Sequence, residues 1–324
     1  MLSTSLSKLG FARNSYRTIR VLFTQIRRRN FLKGNANHLL KCEKLSRHRM
    51  KRFRVLDPTL SVPQVPRGFC ALAVMTKAPH AGRVKTRLVP PLTLREAAEL
   101  NKCFLRDTVA AISNACGSRR VGDVGKTQST RQPHASHSEA ARARACGIAV
   151  YTPVGAESAY AGILPAYFTL LPQRGDKFGE RLYFAVEDLF KCGFESVCLI
   201  DSDSPTVSAA NFEHAVEVLA AFGDRVVLGP SDDGGYYLIG LKKPDRHLFE
   251  QIDWSTERVL KQTIQRANDI ELEVKLLPAG YDVDDEAGLR RLNDELLRNG
   301  LGSSSEVAPS TRRFLAALVE RKKL

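Results

Sequence analysis

From Phe69 onward, apolar runs of four to seven residues alternate with longer amphipathic stretches. That rhythm confines the chain to layered α/β folds, because a buried strand needs only a short hydrophobic run, whereas a packed helix repeats apolar positions every three or four residues. Strands are expected at Phe69–Met75, Gly147–Tyr151, Ser196–Ile200, Arg225–Leu228, Tyr236–Leu241 and Leu272–Leu277. Helices are expected at Leu94–Cys116, Phe178–Phe190, Ser208–Phe222, Thr256–Asn268 and Glu286–Arg298. No internal repeat interrupts the order, and 43% hydrophobic residues over 324 positions suffice for a sizeable core.

Charge divides the chain sharply. Residues 1–66 hold 15 Lys and Arg against Glu43 and Asp57, whereas residues 67–324 hold 34 basic and 33 acidic side chains. The formal charge of +14 therefore belongs to a basic N-terminal extension, expected to be disordered. The extension has no apolar stretch long enough to span a bilayer. Arg13, Arg17 and Arg20 among the apolar residues of Leu2–Phe23 are compatible with a transit peptide, with a basic arm, or with translation starting at Met50. Residues 67–300 read as one α/β domain with a polar insertion at 117–146, followed by a linker and short helix over 301–324. His134 and His137 in the insertion read as a solvated loop rather than metal ligands. The near-neutral domain lacks the basic–aromatic interleaving of a nucleic-acid binder. Seven cysteines form no CxxC pair, which points to reduced thiols and a cytoplasmic protein, or an organellar one if residues 1–50 are a transit peptide.

Four segments carry chemistry. After the first strand, Lys77, Arg83, Lys85 and Arg87 surround Gly82. Loops at the carboxyl ends of strands are where α/β sheets bind ligands, and converging cations with free amides suit a di- or triphosphate. The spacing matches neither a Walker A loop nor GxGxxG; a solvated basic turn is the plainer alternative. Next, Asp201 and Asp203 follow an apolar strand, and strand spacing would put both carboxylates on one side. Hard oxygen donors there suit Mg²⁺ or Mn²⁺, the alternative being that Asp203 caps a turn.

Third, Asp232-Asp233-Gly234-Gly235 joins two apolar runs as a hairpin would. Gly234 and Gly235 would also let a substrate approach the backbone while Asp233 binds hydroxyls. Fourth, in Tyr281-Asp282-Val283-Asp284-Asp285, either Asp284 is a second metal donor or Asp284 or Asp285 caps the next helix.

The stretches KAPHAGRVKTRL, DKFGERL, LIDSDSPTV, SDDGGYYLIGL, IDWSTERVLKQT and YDVDDEAGLRRL, in that order over residues 69–292, resemble the rSAM/selenodomain-associated transferase 1 group (DUF2064). These are CofC-like members of the GT-A, or nucleotide-diphospho-sugar transferase-like, superfamily. The resemblance implies a Rossmann-like GT-A fold, with a mostly parallel mixed sheet and helices on both faces. It implies Mg²⁺ (or Mn²⁺), a nucleotide or nucleotide-sugar, and a small-molecule acceptor, without nucleic acid. On that basis Lys77, Gly82, Arg83, Lys85, Arg87, Gly179 and Arg181 are expected at the nucleotide. Asp233, Gly234, Gly235, Trp254, Ser255 and Thr256 are expected at the acceptor. Asp201, Asp203 and Asp284 would hold the metal, and Lys85, Arg87 and Asp203 would be catalytic. One departure is SDSP, where relatives often carry a Cys before the Pro; both carboxylates remain.

Two reactions share such a scaffold. A nucleotidyltransferase releases pyrophosphate, and a glycosyltransferase releases the nucleotide. Four loop cations favour the first, since a leaving pyrophosphate would use them most fully. Retention of the acidic pairs and all four cations argues against a non-catalytic nucleotide-binding regulator.

Overall fold

The computed structural model describes residues 53–117, 144–298 and 307–321. Strand β2 (Phe69–Lys77) reads FCALAVMTK and is buried along nearly its whole length, so it lies inside the sheet rather than at an edge. Around it run β1 (Arg54–Val55), β3 (Arg144–Thr152), β4 (Thr169–Pro172), β5 (Ser196–Ile200), β6 (Arg225–Pro230), β7 (Tyr236–Leu241) and β8 (Glu273–Leu276). They form one sheet in the order β1-β4-β3-β2-β5-β7-β6-β8. Neighbours are parallel except at β7, which runs antiparallel to both β5 and β6.

The helices are α1 (Leu94–Ala115), α2 (Phe178–Lys191), α3 (Ala209–Ala220), α4 (Val259–Asp269), α5 (Glu286–Asn293) and α6 (Pro309–Glu320). Side chains alternate across a strand, and β2 shows the consequence. Leu72 and Val74 join Leu105 and Val109 of α1 and Phe212 of α3 on one face. Ala71 and Ala73 join Leu182 and Val186 of α2 and Ala267 of α4 on the other. A third apolar cluster ties Leu88, Leu92 and Phe104 to Leu289 of α5 and Leu315 of α6. The mostly parallel mixed sheet with helices on both faces is thus the expected GT-A-like architecture.

Two strands, β1 and β4, were not expected from the sequence. Residues 53–66, read there as the end of the basic extension, pack on the sheet edge. Arg54 pairs with Thr169, the Leu56 amide donates to the Leu170 carbonyl at 2.8 Å, and Leu56 and Val65 are buried. The remainder of that extension, most of the insertion with His134 and His137, and residues 299–306 lie outside the described residues. Helix α6 is docked by Asp107 of α1, whose carboxylate accepts from the amides of Ser310 (2.9 Å) and Thr311 (2.8 Å). A buried anion there meets the positive end of the helix dipole. Among the described residues no helix is long and apolar enough to cross a membrane, and the six cysteines form no disulfide.

Chain direction locates the site. From β2 the strands step outward through β3 and β4, then the chain returns across β2 to β5. The carboxyl ends of β2 and β5 therefore flank a topological switch point, where open α/β sheets form their binding crevice.

Candidate active site

The loop leaving β2 is tied down at both ends. The Ala78 amide donates to the Thr152 carbonyl at 2.8 Å, and Leu88, fully buried, closes the short 3₁₀ turn Thr86–Leu88. Between them Lys85 adopts a left-handed backbone (φ 48°), unusual for a residue with a Cβ. Such strain persists where surrounding contacts over-determine it, and Lys85 has many. Its ammonium donates to the Val283 carbonyl at 2.8 Å and pairs with Asp203 at 2.8 Å and Asp284 at 2.9 Å. It also lies 5.4 Å from the centroid of the Phe104 ring. Burial disfavours the charged ammonium, but Asp203 and then Asp284 outweigh it and leave the Lys85 pKa above its ordinary value.

The two carboxylates after β5 part company. The strand ends at Ile200, so the two-residue alternation that would align Asp201 with Asp203 no longer applies. Asp201 accepts from the Ser204 hydroxyl (2.8 Å) and the Asp203 amide (3.3 Å), whereas Asp203 faces Lys85. Burial, reinforced by the Asp203 charge, pushes the Asp201 pKa up to about 8. In the segment after β8, Asp285 caps α5 by accepting from the Gly288 amide at 2.9 Å. That leaves Asp284 for the site. Asp282, two residues earlier, accepts from the Ser231 hydroxyl at 3.3 Å. Its pKa is raised by burial, then by Asp233 and Asp284.

These residues border two adjoining cavities. The smaller, about 270 Å³, is lined by Lys77, Arg83, Lys85 and Arg87 with Asn101, Ser202, Asp203 and Asp284. The larger, about 540 Å³, has Asp201, Asp233, Asp282 and Asp284 beside Tyr236, Tyr237, Trp254, Ser255 and Thr256. Arg87 and Asp284 belong to both. Most residues expected at the nucleotide thus meet at one cavity, and most expected at the acceptor meet at the other.

Four expected residues have other roles or lie off these walls. Gly179 is buried beneath the indole of Trp254: a Cβ there would sit 2.6 Å from its Nε1 and 2.7 Å from the Phe249 carbonyl. Arg181 turns to the Asp176 carbonyl at 3.0 Å. Gly234 (φ +85°) lets two loops cross, since a Cβ would lie 2.2 Å from the Glu257 carbonyl oxygen, and it is Gly235 that lines the larger cavity. Gly82 shapes the basic turn with a positive φ but lines neither cavity. Sequence reasoning assigned no role to Asp282, Ser231 or Phe178. The alternation Asp282–Asp284 was the available signal for the first of these.

The donor chemistry can be tested against a divalent cation. Asp203 and Asp284 already converge on one cationic point, the Lys85 ammonium, so two hard oxygen donors share a focus. Asp201 does not complete that focus, its oxygens being engaged by Ser204 and the Asp203 amide. Among the described residues no group of three or more His, Cys, Asp or Glu side chains is placed to hold a metal ion. Two of the three expected ligands fit, therefore, provided Lys85 gives way.

Comparison with known proteins agrees with this architecture. Residues 137–256 match a family described as an uncharacterized protein conserved in bacteria, DUF2064. The matched segment carries Asp201, Asp203, Asp233 and Trp254, while the basic loop and Asp284 lie outside it. A solved structure from Desulfovibrio desulfuricans G20, provisionally named a nucleotide-diphospho-sugar transferase, is 26% identical. It matches 79% of this chain and 98% of its own, with a TM-score of 0.62. A cytidylyltransferase from Leptospira borgpetersenii serovar Hardjo-bovis is fainter, at 11% identity over 79% of this chain and 95% of that one, TM-score 0.40. No curated protein matches the chain.

Proposed function

We propose that the chain is a transferase using a nucleotide-activated donor, whose phosphates lie in the smaller cavity and whose second substrate occupies the larger. The observation that carries this reading is the junction at Arg87 and Asp284. There a cavity with four lining cations opens beside one lined by five carboxyl groups, at the switch point of the sheet. Lys77, Arg83 and Arg87 would hold the phosphates, and Asp203 and Asp284 would hold Mg²⁺ or Mn²⁺ once Lys85 withdraws to its remaining partner, the Val283 carbonyl. The metal would supply charge neutralisation of the leaving group. Asp233 and Asp282, facing the larger cavity, would orient the attacking hydroxyl and take its proton.

Of the two reactions, sugar transfer is the better supported. The preference for pyrophosphate release rested on four uncommitted cations, yet Lys85 is bound by two carboxylates. Three remain, which with a divalent ion match a diphosphate. The likeness to the D. desulfuricans protein also favours this reading. Nucleotidyl transfer is the second reading, because a freed Lys85 would restore the fourth cation. Incubation with NTPs and nucleotide-sugars plus Mg²⁺ or Mn²⁺ separates the two, with a small-alcohol panel as acceptors. Nucleoside diphosphate without pyrophosphate supports sugar transfer; pyrophosphate reverses the order. Absence of any metal-dependent nucleotide binding by calorimetry removes both.

A further inference from the structure

The larger cavity has a charge unlike its neighbour's. Asp201, Asp233, Glu257, Asp282 and Asp284 line it, and Arg87, shared with the smaller cavity, is the single Lys or Arg among its described lining residues. A divalent cation held by Asp203 and Asp284 would compensate those two and leave Asp233, Glu257 and Asp282 unmatched. A phosphate or carboxylate placed here would face carboxylates, and Arg87 would be divided between it and the donor's phosphates. Like charges set opposite one another act as a rejecting element in a binding site.

The remaining wall is aromatic. Trp254 and Phe178 meet edge to face with ring centroids 5.1 Å apart, and Leu182 and Ile239 continue the apolar surface. The backbone at Gly179 is shaped to receive the indole. A carboxylate can only accept hydrogen bonds, which suits hydroxyl donors. An aromatic wall beside such acceptors suits a molecule with one hydroxylated edge and one apolar face.

Resting on the two-cavity reading above, we propose that the larger cavity receives a non-phosphorylated, hydroxyl-bearing compound with an apolar face, of the sugar or polyol class. Phosphorylated acceptors are excluded by its carboxylates. The selection lies with Asp233 and Asp282, which face the cavity from the β6–β7 hairpin and from the segment after β8.

Trp254 is the only tryptophan of the chain, so its emission reports this cavity directly. Phenyl glucoside and phenyl glucoside 6-phosphate are titrated separately into the full chain. The neutral probe should change the emission saturably, and the phosphorylated one should bind about tenfold more weakly or worse. In an Asp233→Asn, Asp282→Asn double variant that ratio should shrink toward one. Equal or tighter binding of the 6-phosphate overturns the proposal. So does a Trp254 signal that stays silent to phenyl glucoside, glycerol and inositol alike. Nucleotide affinity, measured by calorimetry on the same sample, tests the donor reading independently. Its loss with an intact response to the neutral probe would remove that reading and leave the acceptor class standing.

Discussion

The ammonium of Lys85 lies 2.8 Å from Asp203, and 4% of the lysine side chain is exposed. An internal cation thus holds the place that the metal reading reserves for a divalent one. Lys85→Met should tighten Mn²⁺ binding without nucleotide by about tenfold, equivalent to about 1.4 kcal/mol, as read by calorimetry. Asp203→Ala in the same background should abolish the gain. Unchanged Mn²⁺ affinity in Lys85→Met would sink the assignment of Asp203 and Asp284 as ligands.

The protonation of Asp201 gives a pH signature. An aspartate that ordinarily titrates at 3.8 is raised to about 8 by burial and then by Asp203. Between those values the folded chain holds a proton that the unfolded chain has lost, so this group's contribution to stability falls as pH rises. Above about 8 both states are ionised and the loss levels off. Asp201→Asn keeps an acceptor for Ser204 and removes the titration. Its melting temperature should rise relative to the parent across pH 4 to 8, by a few degrees at the upper end. A constant difference at every pH would show that Asp201 ionises normally.

Gly179→Ala tests how the aromatic wall is held. The added methyl would meet the Trp254 indole at 2.6 Å and the Phe249 carbonyl at 2.7 Å, and the carbonyl belongs to backbone. Overpacking of this kind typically costs about 1–3 kcal/mol. The variant should melt lower and show a shifted Trp254 emission. Parent-like emission with parent-like stability would mean that the indole has room elsewhere.

Truncation separates the edge strand from the basic segment before it. A chain beginning at Arg67 loses β1 with Leu56 and Val65, two buried side chains worth about 1.5–3 kcal/mol each. That corresponds to a melting temperature lower by several degrees or more in a domain of this size. Starting at Met50 should leave thermal unfolding unchanged. Equal stability of the two would show that the edge strand contributes nothing.

Much of this was legible because the signals were local. Ser196–Ile200 and Tyr236–Leu241 coincide with observed strands, since short runs of mostly apolar residues bounded by polar ones admit few alternatives. Arg54–Val55 was hidden by its own brevity and by the cations around it; what makes it a strand is pairing with Thr169–Leu170, more than a hundred positions away. The basic loop was readable as a cluster, but the engagement of Lys85 by carboxylates from two distant segments was not. Nor could spacing tell that Asp201 would turn inward, because that depends on the path of the chain after β5, where Ser204 and the Asp203 amide engage it. Gly234 illustrates the same limit: its sequence context signals a turn, while its necessity comes from the Glu257 backbone crossing above it.

Because β7 alone is inverted, the hairpin before it opens on the same rim as the carboxyl ends of β5, β6 and β8. The wall that meets the second substrate is therefore built mostly from hairpin 231–235, segment 252–257 and segment 280–284, none of which shares backbone with the phosphate-facing loop 77–88. Such a division makes the molecule modular. Exchanging hairpin 231–235 and segment 252–257 between related chains would rewrite which alcohol is chosen, while segment 280–284 has to stay because its Asp284 serves both cavities.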